Sequence, residues 1–259
     1  MMAPMTITLA VANQKGGVAK TTSVASIGAA LVELGQKVLL VDLDPQACLT
    51  FSLGVDPEDL EQSVHQVLTK GVDVEDAILE TEDGVDLLPS TIDLARAEAD
   101  LLTRTGREHA VKAALESVSD YDWVLLDCPP SLGVLTVAAL TAADGVLVPL
   151  QCETLSHRGV GQLLDTVHDV RRFTNKGLEV WGVLPTLYDG RTTHARMVLD
   201  TIAETYDLDV IEPPIPKTIK FAEAPAAGRS ILSTARSSKG AKAYREVAAN
   251  LMARAARRR

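Results

Sequence analysis

Aromatic residues make up only 3% of this 259-residue chain. Its core must therefore be built from aliphatic side chains, as in helices packed on a sheet. There are three cysteines, Cys48, Cys128 and Cys152, an odd number set far apart. That spacing suits neither a disulfide framework nor a zinc site, and the thiols are expected to stay reduced in a cytosolic protein. The five histidines are scattered, with no pair at metal-ligand spacing. No apolar run approaches the roughly 20 residues that cross a bilayer. Met1–Thr6 carries no basic segment of the kind that begins a signal peptide. No linker, repeat or low-complexity block interrupts the chain, so residues 1–259 are expected to form one domain.

Charge is plentiful but uneven. Residues 1–213 hold 14 Lys and Arg against 33 Asp and Glu, whereas residues 214–259 hold 11 against 2. A net charge of −10 thus conceals an acidic body and a basic C-terminal block. Such a block can be a binding face or merely a solvated helix, and charge alone does not choose between them.

Short aliphatic runs alternate with helical patterns. Strands are expected at Ile7–Asn13, Val38–Asp42, Val85–Pro89, Trp123–Asp127, Gly145–Leu150, Val180–Leu184 and Asp209–Ile211. Helices are expected at Lys20–Leu34, Leu94–Val118, Leu132–Ala142, Leu155–Phe173 and Thr193–Tyr206, with short surface helices in the acidic stretch 56–84. Near-continuous apolar strands alternating with helices predict an α/β fold: a doubly wound, mostly parallel sheet with helices on both faces. A stripe of Tyr244, Val247, Ala248, Leu251, Met252 and Ala255 predicts a closing helix over 239–256, leaving 257–259 as a basic tail.

Chemistry concentrates after the first strand, in Asn13-Gln14-Lys15-Gly16-Gly17-Val18-Ala19-Lys20-Thr21-Thr22. Strand, glycine turn and helix start are the context of a phosphate loop, in which backbone N–H groups form a nest around phosphate oxygens. Lys20 would reach the β- and γ-phosphates, and the Thr21 hydroxyl would ligate Mg²⁺. A strict Walker A motif would need glycine at positions 14 and 19, which hold Gln14 and Ala19. The deviant form K-G-G-x-x-K-T-T fits, with Lys15 as its second lysine. Ala19 replaces the usual glycine, a mild change at negative φ and a strained one at positive φ. The second strand ends in Asp42-Leu43-Asp44-Pro45-Gln46, and a later one in Leu125-Leu126-Asp127-Cys128-Pro129-Pro130. Carboxylates at the carboxyl edge of parallel strands face the ligand crevice. Asp44 is placed to orient or deprotonate the attacking water, Asp42 to support the Mg²⁺ shell, and Asp127 to hold a magnesium-bound water.

Taken as a set, VANQKGGVAKTT, LLVDLDPQ, LLDCPPSLG, VPLQCE, LPTLYDGRT and PPIPKTIKFAEAP resemble the ParA/MinD family of deviant Walker-A ATPases, in the order and spacing of ParA/Soj proteins. The resemblance implies a P-loop NTPase that takes ATP and Mg²⁺ and hydrolyses ATP slowly. It further implies an ATP-dependent homodimer in which Lys15 reaches the ATP of the other subunit, with Pro216 and Thr218 on the adenine side. Partners implied are non-specific double-stranded DNA and a ParB-like protein that stimulates hydrolysis. The corresponding or nearby cations are Arg191, Lys217, Lys220, Arg229, Arg236, Lys239 and Lys242. The setting implied is cytoplasmic, nucleoid-associated with ATP bound, in DNA segregation.

Competing expectations are a ParA-like positioner of another cargo and a MinD-like membrane-associated ATPase. The latter carries an amphipathic helix beyond the last domain helix, where this sequence has Arg257-Arg258-Arg259, so no membrane insertion is expected. An iron–sulfur carrier or nitrogenase-like reductase would need paired interface cysteines, and no Cys-x-x-Cys is present. For a metabolic kinase, no acceptor site can be named.

Overall fold

Trp123–Asp127, five residues buried along their whole length, runs between two neighbours that are also parallel to it. The computed structural model describes residues 6–153 and 156–257. Met1–Met5, Leu155 at the head of one expected helix, and Arg258 and Arg259 of the expected tail lie outside the described residues. Strands are β1 (Ile7–Val11), β2 (Val38–Asp42), β3 (Leu79–Glu80), β4 (Asp86–Leu88), β5 (Trp123–Asp127), β6 (Gly145–Gln151) and β7 (Glu179–Thr186). They form one sheet in the order β3-β4-β2-β5-β1-β6-β7, parallel except for the β3–β4 pair.

Helices are α1 (Lys20–Glu33), α2 (Cys48–Ser52), α3 (Val64–Lys70), α4 (Val74–Ala77), α5 (Leu94–Leu102), α6 (Ala110–Leu115), α7 (Val134–Ala142), α8 (Ser156–Phe173), α9 (Thr193–Tyr206), α10 (Lys220–Glu223), α11 (Ile231–Thr234) and α12 (Lys239–Ala256). Alternate strand residues point to opposite faces, and each face has its own core. Ala10, Leu39, Val41, Val124 and Leu126 pack with residues of α5, α7, α8 and α9. Leu9, Val11, Leu40, Leu125 and Leu147 pack with α1 and α12. This is the doubly wound α/β sheet that the alternation predicts. The second core also holds both tryptophans, Trp123 and Trp181, edge to face with centroids 6.0 Å apart. Tyr244, Val247, Ala248 and Leu251 of the closing helix are fully buried against α1 and the sheet. Burial of side chains such as Val247 and Leu251 contributes about 1.5–3 kcal/mol each.

Three expectations need correction. The segment 94–118 is not one helix: it breaks at Gly106, whose φ of +71° no helix accommodates, into α5, a 3₁₀ turn and α6. Asp209–Ile211 is not a strand; Val210 makes a single bridge to Val183. An unexpected antiparallel edge strand, β3, precedes β4, so the strand ending in Asp127 is the fifth rather than the fourth.

Candidate functional site

The strand order places β2, β5 and β1 side by side, with Asp42 in register with Asp127 and Asp127 with Val11. Three adjacent strands therefore end together, and the glycine loop leaves from one of them. The loop is tied down at both ends. Asn13 donates from its side-chain amide to the Pro149 carbonyl and accepts from the Lys15 N–H, while the Thr186 hydroxyl donates to the Val18 carbonyl. Between these ties Gly16 and Gly17 are open, with no atom within 4 Å of the space a Cβ would fill, and Gly17 has φ +74°. Helix α1 begins with no side-chain cap and no acidic residue in its first turn. Its N–H groups and its positive dipole end are thus left for an anion.

Ala19 lies in the left-handed region, φ 61° and ψ 35°, the strained case for a residue with a Cβ. Ala47, before α2, does the same at φ 50°. Each costs about 1–2 kcal/mol relative to a relaxed backbone, and both flank the same crevice.

Lys20 is 7% exposed, and its Nζ donates to the Lys15 carbonyl at 3.3 Å. Burial lowers its pKa, and Asp127, Cys128 and Asp44 oppose that shift. Asp127 is fully buried, and neither carboxylate oxygen has a hydrogen-bond partner. Burial first and the Asp42 charge second push its pKa well up, while Thr21 and Lys20 draw it down. The Thr21 influence is a hydroxyl nearby, not a bond that satisfies either oxygen. A buried carboxylate left bare beside a hydroxyl and a phosphate loop fits a hard cation that takes oxygen ligands. Mg²⁺ therefore suits this place, with Thr21 and Asp127 as the residues that would hold it.

Asp42 behaves differently. Its Oδ1 accepts from the Asp44 N–H at 3.1 Å, and its Oδ2 accepts from the Thr50 N–H and hydroxyl at 2.9 and 2.7 Å. Burial pushes its pKa up to about 6 against the pull of those bonds. Both oxygens accept bonds from the loop, so Asp42 organises the turn, and any support it gave a Mg²⁺ shell would pass through water. Asp44 is 9% exposed, and its Oδ1 accepts from the Gln46 N–H at 3.0 Å. Lys15 is half-buried and pairs with Glu153 at 2.5 Å, a partner that sequence reasoning missed. Pro216 bridges to Tyr188 beside the loop, and the Thr218 hydroxyl accepts from the Lys220 N–H. Thr22 is half-buried in the first turn of α1.

The seven basic candidates do not form one cluster. The Tyr188–Pro216 bridge sets the loop of Arg191 beside Lys217, and the Lys217 charge is felt at Asp189. Lys220 follows directly in the same loop. Arg191 is 90% exposed but held by Asp189, and Lys220 by Glu223. Arg229 is turned elsewhere, bonded to Asp83 and Glu82 in the β3–β4 turn. Arg236 faces Glu33 at 3.9 Å, the last residue of a 14-residue α1, roughly 20 Å along that helix from the phosphate loop. Lys239 and Lys242 are exposed on α12.

A family model described as an AAA domain matches residues 6–180. Sporulation initiation inhibitor protein Soj of Bacillus subtilis is 43% identical over 93% of this chain and 98% of its own length. Chromosome partitioning protein ParA of Caulobacter vibrioides is 39% identical over 95% and 94%. A crystal structure named cobyrinic acid a,c-diamide synthase from Mycobacterium smegmatis, with bound ADP and magnesium, is 59% identical, with a TM-score of 0.86 over 96% of this chain and 94% of that one. The same protein has also been solved with an ATP analogue and magnesium. With the deviant phosphate loop, the bare Asp127 and these near-full-length matches together, the chain belongs to the Soj/ParA family of P-loop ATPases.

Proposed function

We propose that this chain is a ParA-type partitioning switch, which pairs on ATP, binds duplex DNA without sequence preference, and is released by slow hydrolysis. The observation that carries the reading is the meeting, at one sheet edge, of an uncapped helix start, a buried lysine and a bare buried carboxylate. Helix α1 and Gly16–Ala19 hold the phosphates, Lys20 neutralises the β- and γ-phosphates, and Thr22 lies in the same first turn. Bound Mg²⁺ supplies charge neutralisation between the phosphates. Asp44 orients the attacking water, and Pro216 and Thr218 border the base.

Lys15 exchanges Glu153 for the phosphates of a second subunit, which offsets repulsion between two nucleotides near a shared interface. Pairing then depends on the γ-phosphate. Arg191, Lys217 and Lys220, with Lys239 and Lys242, supply the DNA-facing cations, and pairing doubles them on one surface. Arg229 is left out of that face because Asp83 and Glu82 hold it in the β3–β4 turn, whereas Arg236, 76% exposed, stays with Lys239 and Lys242 near the start of α12. A ParB-like protein accelerates hydrolysis, in a cytoplasmic, nucleoid-associated setting. Among the described residues no helix is long and apolar enough to cross a membrane.

The experiment is light scattering with Asp44→Ala, which traps the ATP state. The mass should double with ATP and Mg²⁺ and stay monomeric with ADP; a monomer in saturating ATP defeats the reading. The name carried by the Mycobacterium smegmatis structures gives a second reading, ATP-dependent amidation of cobyrinic acid. It requires ADP release to rise with that acceptor and an ammonia donor present. An unchanged rate removes it.

A further inference from the structure

Thr50 is fully buried, and its hydroxyl is engaged within the protein. It is the third residue of the five-residue α2, a helix with no side-chain cap, so its hydroxyl is not needed to start that helix. A helical threonine commonly turns its hydroxyl back to the carbonyl four residues earlier. This one instead donates to Asp42 Oδ2 at 2.7 Å and accepts from the Ser90 N–H at 2.9 Å. Its own N–H donates to the same Oδ2 at 2.9 Å. The end of β2, helix α2 and the segment after β4 are thereby fastened at one buried point. On the other side of Asp42, Oδ1 accepts from the Asp44 N–H. The Asp44 turn is closed by bonds from the Gln46 N–H to its carboxylate and from the Ala47 N–H to its carbonyl at 2.9 Å. A chain of bonds thus runs from Ser90 through Thr50 and Asp42 to the backbone of Asp44.

We propose that Thr50 is a positioning residue for hydrolysis, holding Asp42 so that Asp42 fixes the backbone that aims Asp44. The inference rests on the reading of Asp44 as the residue that orients water. Thr50→Val removes only the hydroxyl's two bonds, because valine fills the same space and keeps the N–H bond to Asp42 Oδ2. Hydrolysis is sensitive to this because misplacing a reacting group by about 1 Å can cost on the order of a hundredfold in rate. Nucleotide affinity, set by the loop on β1 and by Lys20, should be spared.

The test compares wild type, Thr50→Val, Thr50→Ser and Asp44→Ala in full-length protein. It reads kcat, the Kd of a fluorescent ADP analogue, and amide exchange at Asp44, Gln46 and Ala47 without nucleotide. Thr50→Val should lower kcat about tenfold with Kd within about twofold, and quicken exchange at those three amides. Thr50→Ser, which keeps the hydroxyl, should restore both. A Thr50→Val protein that turns over at the wild-type rate while Asp44→Ala is slow would overturn the Thr50 role alone. Parallel loss of kcat, affinity and melting temperature without rescue by serine would also overturn it, showing general damage. Wild-type turnover by Asp44→Ala would remove the water-orienting reading and this inference with it.

Discussion

The amino ends of the parallel strands bond their acids, whereas the carboxyl ends keep one bare, Asp127, beside a fully bonded Asp42. At the amino edge, Asp144 accepts from the Thr8 N–H at 2.8 Å, and Asp122 accepts from the Lys37 N–H at 2.9 Å while its carbonyl takes the Ile7 N–H. At the carboxyl edge, Asp127 is more deeply buried than either and has no hydrogen-bond partner, and two alanines sit in the left-handed region beside it. One edge is built for stability; the other holds unmet bonds and strain. Such local inconsistency marks functional sites, where a ligand makes good what the protein lacks.

The largest effect that would sharpen this contrast lies in the phosphate loop. Lys20→Ala should weaken nucleotide binding by about a hundredfold, the loss of a charge-assisted contact with phosphate, read by fluorescent nucleotide titration. Asp44→Ala should instead keep nucleotide and slow hydrolysis by about 10²–10⁴-fold, read as phosphate release. Equal effects on binding from both variants would erase the division of labour between β1 and β2.

Next comes a direct test of the two edges by thermal melting without nucleotide. Asp127→Asn removes a buried carboxyl whose raised pKa costs stability near neutrality and should stabilise the protein by about 1–3 kcal/mol, whereas Asp144→Ala orphans the Thr8 N–H and should destabilise it by a similar amount. If Asp127→Asn melts lower than wild type, the carboxylate is satisfied by the protein and not reserved for a cation. Ala19→Gly should add about 1 kcal/mol of stability by relieving positive φ, and Ala25→Gly, in the middle of α1, should remove about as much.

Sequence reasoning read the edge better than it read the bonds behind it. Val38–Asp42 and Trp123–Asp127 have the expected limits, because a fully buried parallel strand is an aliphatic run that stops at the first carboxylate, and helix Thr193–Tyr206 also has its expected limits. The two-residue β3 has no period to detect, and its existence depends on pairing with β4. The φ of Ala19 is invisible in composition, since the conformation is imposed by the nest and not by the residue. Thr50 was missed because Cys48-Leu49-Thr50-Phe51 reads as one polar residue in an apolar segment. Only folding brings it to Asp42. The basic block was legible as a charge imbalance, but its division was not, because Asp83 approaches Arg229 from a distant part of the chain.

The smallest expected effect is at the surface, where Arg245 holds Glu33 and keeps its carboxyl below the usual range. A depressed carboxylate pKa contributes stability above the unfolded value, and that contribution disappears as pH falls through the folded value. Glu33→Gln should cost no more than about 1 kcal/mol near neutrality, since solvent screens the pair. The difference from wild type should vanish in acid, as melting at a series of pH values would show. A gap that persists at pH 2 would mean that Glu33 acts through packing.

The central claim, that ATP gates DNA binding through one part of the basic block, is tested most directly by retention of a non-specific duplex with ATP, ADP or no nucleotide. Binding should appear only with ATP and weaken with salt, at a slope of about −0.9 in log K against log salt for each phosphate contacted. Glutamate at Arg191, Lys217 and Lys220 together should abolish retention while ATP-driven pairing survives, and Arg229→Glu should not abolish retention through lost contact with DNA. Equal retention in all three nucleotide states, or full retention by the triple variant, would contradict the account.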